Sequence, residues 1–130
     1  MSGREGNLRG LESEDLFEGL CKKWREKRRL PKRVVGFRRA SLKEDRAGTD
    51  FFFEIRDGFE ISVDVKCSDA AAKSYRKLKR RRGEDLSQKI MIVVNRERSE
   101  EGIRMELCKK LERMLTRACD ELSARQAAAE

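Results

Sequence analysis

The chain has 130 residues, 43% of them charged and 38% hydrophobic, enough for one domain that buries roughly two-thirds of its unfolded surface. A net charge of +8 and a pI near 9.6 suit a polyanionic partner. No apolar run reaches membrane-spanning length and residues 1–10 lack the apolar core of a secretion signal, which points to a cytoplasmic protein with no membrane partner. There is no histidine. That excludes Ser-His-Asp and Cys-His catalysis and histidine-ligated metals, so any catalysis must use carboxylates, lysine or an oxygen-liganded metal.

Residues 1–10 contain three glycines and no periodicity, and read as a flexible arm. Ser13, followed by Glu14 and Asp15, has the pattern of an N-cap with acid in the first turn. Leu16, Phe17, Leu20, Cys21 and Trp24 then recur at helical spacing to about Leu30, where Pro31 stops the helix. Glu14 falls at the edge of that apolar stripe and Glu18 lies further round toward solvent. Residues 32–41, with Val34, Val35 and Phe37, read as a first strand.

Strict alternation on both sides of Asp57-Gly58 marks a β-hairpin, with Phe51, Phe53 and Ile55 answered by Phe59, Ile61, Val63 and Val65. A two-residue loop would pair residues whose numbers sum to 115 and mix the faces. A three-residue loop, Arg56-Asp57-Gly58 with the glycine in a G1 bulge, gives sums of 114 and puts all seven apolar residues on one face. The same register sets Asp50 opposite Asp64, with Lys66 projecting from the same face two residues on. The plain alternative for these side chains is a surface salt bridge between Asp64 and Lys66.

Ser68 or Asp69 can cap a second helix, from Ala70 to about Arg82 and ended by Gly83. Lys73, Arg76, Lys77 and Arg80 make it a candidate backbone-phosphate contact, or else a solvated helix end. Ile90 to Val94 is a continuous apolar run of the kind found in a buried strand parallel to its neighbour. A last helix, from about Ser99 to Arg125, carries Ile103, Leu107, Leu111, Met114, Leu115, Ala118 and Leu122 on one side, which suits either intradomain packing or a homodimer seam. Residues 126–130 read as a flexible tail, leaving residues 11–125 as the domain. The four cysteines, Cys21, Cys67, Cys108 and Cys119, form no C-x-x-C pair and read as reduced thiols.

Charge is laid out in blocks. Residues 22–39 hold ten bases, Arg38 and Arg39 among them, against one acid; residues 43–69 hold eight acids against four bases. An acidic centre with basic flanks suits a metal-dependent phosphodiesterase, carboxylates for the cation and basic groups for the nucleic-acid backbone. Mixed charge also simply keeps a small domain soluble.

Thr49-Asp50, thirteen residues, then Asp64-Val65-Lys66 resembles the PD-(D/E)XK nuclease superfamily of restriction-type endonucleases, Holliday-junction resolvases and repair nucleases. The resemblance implies an α/β, restriction endonuclease-like α-β-β-β-α-β core, a mixed central sheet flanked by helices, here with an added C-terminal helix. It implies that Asp50 and Asp64 bind Mg²⁺ or Mn²⁺ together with the Val65 backbone carbonyl, and that Lys66 orients water or stabilises the transition state. Glu14 is the candidate for the helix glutamate that often completes the site. Thr49 stands where the family has proline, and Asp45 is a second candidate ligand. The implied function is a metal-dependent endonuclease on double-stranded or branched DNA, with a non-catalytic nucleic-acid-binding module on the same fold as the alternative.

Overall fold

The structure, a computed structural model, describes residues 3–41, 43, 49–56, 58–83 and 89–129. The elements are α1 (Gly3–Glu26), β1 (Val34–Arg39), β2 (Phe51–Ile55), β3 (Glu60–Lys66), α2 (Asp69–Arg81), β4 (Lys89–Val93) and α3 (Glu100–Ala129). They form a mixed α/β architecture around one four-stranded sheet of order β1-β2-β3-β4. β1, β2 and β3 run antiparallel, whereas β4 is parallel to β3 across the α2 connection.

The hairpin has the three-residue loop. Phe51 pairs with Val63, Phe53 with Ile61 and Glu54 with Glu60, so paired numbers sum to 114. Gly58 has φ +91°, the left-handed conformation that a glycine at this bulge adopts without strain. Phe51, Phe53, Ile55, Ile61, Val63 and Val65 are all at most 5% exposed, and Phe59 packs against the same core. Phe17 and Trp24 of α1 and Ile103, Leu107, Leu111 and Leu115 of α3 join that core, so both long helices cover one face of the sheet. Phe17 sets its ring edge-on to Phe51 with centroids 5.2 Å apart, a geometry favoured by the ring quadrupoles. α2 covers part of the opposite face, burying Ala72.

Three boundaries differ from the sequence pattern. α1 begins at Gly3, so residues 3–10 are helical rather than an arm, and Ser13 lies buried within the helix instead of capping it. Extending a formed helix adds a hydrogen bond per residue and tolerates glycines at about 1 kcal/mol each. α1 also ends at Glu26, before Pro31. Arg28 adopts φ 55°, its N–H bonding to the Arg25 carbonyl while Arg29 N–H reaches back to Trp24. That paired return is a Schellman motif, built here on arginine where glycine is usual. At the other end of the chain α3 continues to Ala129, taking in residues 126–129.

The other caps follow expectation. Ser68 accepts a hydrogen bond from Ala71 N at 3.1 Å to start α2, and Gly83, at φ +72°, lies just beyond its end. The apolar stripe of α3 is spent inside the domain from Ile103 to Leu115, so that segment offers no dimer seam. β4 is a sheet edge rather than a fully buried strand: Ile90, Ile92 and Val94 are buried, Met91 and Val93 only partly. Its outward carbonyls are satisfied by side chains, Met91 by Lys110 at 2.7 Å and Val93 by Arg98 at 2.9 Å, which blunts an edge open to strand addition. Among the described residues no helix is long and apolar enough to cross a membrane.

Candidate functional site

Asp50 stands one residue before β2, where the β2–β3 ladder runs out. Its N–H donates to the Val63 carbonyl at 3.1 Å, and its Oδ2 accepts from Val65 N at 2.7 Å. The side chain thus supplies the rung that the backbone no longer can. In an extended strand a residue's N–H and C=O share a side, so the Val65 carbonyl points toward Asp50 as well.

Glu14 meets this group from α1. It lies one turn before Phe17, whose ring is fixed against Phe51, and residues three apart share a helix face. The Glu14 and Asp50 carboxyl groups are within hydrogen-bonding reach, and Asp50 is pushed up to about 8. Burial is the largest cause, followed by the bond with Glu14; the Val65 N–H works in the opposite direction, and the Glu14 and Asp64 charges add to the rise. Beside a second carboxyl group Asp50 thus keeps its proton well above the usual carboxylate range. Glu18, one turn further along α1, pairs with Lys22 at 3.4 Å.

Asp64 is 1% exposed, where an ionised carboxylate needs compensation. Lys89, at the start of β4, brings its Nζ to 3.3 Å from Asp64 Oδ2. The distance is that of an ion pair, yet neither Asp64 oxygen has a hydrogen-bond partner, because the approach is misaligned. Lys66 does not occupy this place. Its Nζ sits 3.8 Å from the centre of the Tyr75 ring on α2, with Lys79 over the same ring at 5.3 Å. The ammonium beside Asp64 is therefore that of Lys89 on β4 and not that of Lys66. Tyr75 and Trp24 are both used in packing, the latter 2% exposed in the core.

Of the flanking bases, Arg39 bridges three α1 acids: Asp15 at 2.8 Å, Glu18 at 3.6 Å and Glu14 at 3.8 Å. The Asp15 hydrogen bond, above all, raises the Arg39 pKa. Arg38 pairs with Glu60 at 2.9 Å and lies 4.2 Å over Phe52, the one apolar residue on the polar hairpin face. Both arginines expected at a nucleic-acid backbone are thus engaged within the domain. Lys73, Arg76, Lys77 and Arg80 are different: all four are exposed and line one shallow groove with Arg81. Asp45 lies outside the described residues.

The donor set suits Mg²⁺ or Mn²⁺ chemically, being carboxylate and carbonyl oxygen. Two buried Asp64 oxygens without hydrogen bonds, and an Asp50 carboxyl raised by burial and by Glu14, describe carboxylates with capacity for a cation. Spacing is another matter. Among the described residues no three histidine, cysteine, aspartate or glutamate side chains are grouped as a metal-holding set.

Lys89 is the residue that the sequence pattern did not single out. Its signal was available: one lysine opening an otherwise apolar strand, which places a cation beside whatever the neighbouring strand buries. Compared with known proteins, the chain matches no family model, no curated protein and no solved structure.

Proposed function

We propose that the chain is a divalent-metal-dependent nuclease, hydrolysing phosphodiester bonds of nucleic acid and of DNA in the first instance, on a restriction endonuclease-like core. The observation that carries this reading is the Glu14 carboxyl held against Asp50 at the end of the β2–β3 ladder, with the Asp64 charge close enough to act on Asp50. A domain without a use for converging acids has no physical reason to keep them together, since like charges so close repel. The helix, three strands, helix, strand order and the mixed four-stranded sheet support this reading.

Asp50, Asp64 and the Val65 carbonyl would hold Mg²⁺ or Mn²⁺, which supplies an acidified water and neutralises charge on the scissile phosphate. Val65 N–H fixes the orientation of Asp50. Glu14 faces Asp50 and raises its hold on a proton. Lys89 sets its ammonium beside the buried Asp64. Lys66, resting on Tyr75, has four rotatable side-chain bonds with which to bring its ammonium to a bound phosphate. The α2 cations hold the backbone without reading sequence.

The test is incubation of the protein with supercoiled, linear and branched DNA in Mg²⁺ or Mn²⁺. Cleavage is expected, abolished by chelator and by Asp50→Ala or Asp64→Asn. Activity indistinguishable between wild type and these variants overturns the reading. A second reading, a non-catalytic nucleic-acid-binding module, is favoured by two observations: an ammonium already beside Asp64, and no three-ligand set among the described residues. That reading gives salt-dependent binding, no cleavage, and no heat of Mn²⁺ binding sensitive to Asp50→Ala.

A further inference from the structure

At the β4 edge the helices on the two faces of the sheet do not close over each other. A cleft of about 280 Å³ remains between α2, β4 and α3, near the lower end of ligand pockets at ~300 Å³. Five basic residues line it: Arg76 from α2, Lys89 from β4, and Lys110, Arg113 and Arg117 from α3. Among the described residues no carboxylate lines it. Lys89 lies beside Asp64, Lys110 binds Glu106 and the Met91 carbonyl, and Arg76 Nε donates to the Ala72 carbonyl at 3.4 Å. Arg113 and Arg117 lie one turn apart on α3, both exposed, and Arg76 faces the cleft from the opposite side of the sheet. Guanidinium groups from two directions suit a phosphate, which accepts bidentate hydrogen bonds from each.

The rest of the lining is apolar. Met91 and Met114 are partly buried, and Ile90 lies beneath them at 3% exposure. Thioether side chains adapt to flat ring surfaces. An anion alone has no use for such a surface; a phosphate carrying a base does. The volume admits one such unit and excludes a duplex. Arg76 also belongs to the exposed groove of α2 with Lys73, Lys77 and Arg80, so a strand lying along α2 meets the cleft at that residue.

We propose that this cleft holds one terminal nucleotide unit of a single-stranded nucleic-acid end, its phosphate among Arg76, Arg113 and Arg117 and its base against Met91 and Met114. The inference takes its occupant from the nucleic-acid reading above but does not depend on cleavage. Its test is therefore done in chelator, by fluorescence anisotropy of a short end-labelled single-stranded oligonucleotide titrated against salt.

Arg113→Gln with Arg117→Gln is expected to weaken binding by about tenfold at low salt and to reduce the log–log salt slope by about 1.4. A blunt duplex should lose much less. Both arginines are exposed, and an unchanged melting temperature verifies the fold. A nucleoside monophosphate should displace the labelled strand at concentrations where inorganic phosphate does not; saturable binding of the monophosphate alone that is tighter than that of the strand would assign the same chemistry to a free nucleotide and overturn the strand-end proposal. Wild-type affinity in the double variant overturns it too, as does an equal loss for blunt duplex, which would mean unspecific surface charge. Absent cleavage with this binding pattern intact would sink the nuclease and leave the cleft standing.

Discussion

The acids at the hairpin and the bases on the outer helices carry charge in opposite ways. Asp64 is buried, the Glu14 side chain is 16% exposed, and each acid has a partner fixed by the fold: Lys89 for Asp64, Arg39 for Glu14, Val65 N–H for Asp50. Lys73, Arg76, Lys77 and Arg80 stand in water on one helix face. A buried charge is tolerated only with its partner, whereas an exposed one is nearly free of structural cost. Stability should therefore report on the acidic region and binding on the basic one, and substitutions can be chosen to break that division.

The largest effect is expected from Lys89→Met, which leaves Asp64 buried and uncompensated. Breaking a buried pair from one side costs about 3–5 kcal/mol, read as a lower urea midpoint. Adding Asp64→Leu should restore most of the loss; if the single variant loses less than about 1 kcal/mol, Lys89 is not what sustains Asp64.

Next comes pH. Asp50 is raised to about 8 in the folded chain, against about 3.9 for an unfolded aspartate. Between those values the native state binds more protons, so unfolding free energy falls as pH rises. The contribution is complete below about pH 4 and gone above about pH 8, a loss of at least about 1 kcal/mol. Urea denaturation in chelator at intervals across that range should show the slope in the wild type and not in Asp50→Asn. A flat wild-type profile would mean that burial and Glu14 do not raise Asp50.

Tyr75→Leu keeps the packing volume of α2 but removes the ring under Lys66. A loss of about 0.5–1 kcal/mol is expected in thermal melts. The smallest stability change, within about 0.5 kcal/mol, belongs to Lys77→Ala with Arg80→Ala. In that variant DNA affinity should fall evenly across sequences, with a duplex salt slope lower by about 1.8; unchanged affinity would remove α2 from the binding surface.

Much of this geometry was legible in the sequence, for a reason particular to the hairpin. Period-two alternation admits only one register that keeps seven apolar residues together, and Gly58 supplies the turn which that register requires. Helical spacing put Glu14 at the edge of the α1 apolar stripe, while its place in the site came only with the resemblance. The burial of Asp64 was not legible, since a polar residue in an alternating strand looks solvent-facing until a helix such as α2 covers it. For Lys66, sequence shows that it shares a face with Asp64, but not that an aromatic ring stands nearer. The start of α1 was hidden because glycine-rich residues 3–10 carry no periodic signal, and its end because a Schellman return on Arg28 has no glycine to announce it.

Lys89 lies between the two regions, one wall of the basic cleft and also the counter-charge of Asp64. In the proposed function, an anion in the cleft that drew this ammonium outward would leave Asp64 without its counter-charge and better suited to a divalent ion. Linkage would make the effect reciprocal: whatever factor the anion added to metal affinity, the metal would add to the affinity for the anion. One side chain would then couple the acidic and basic halves of the molecule.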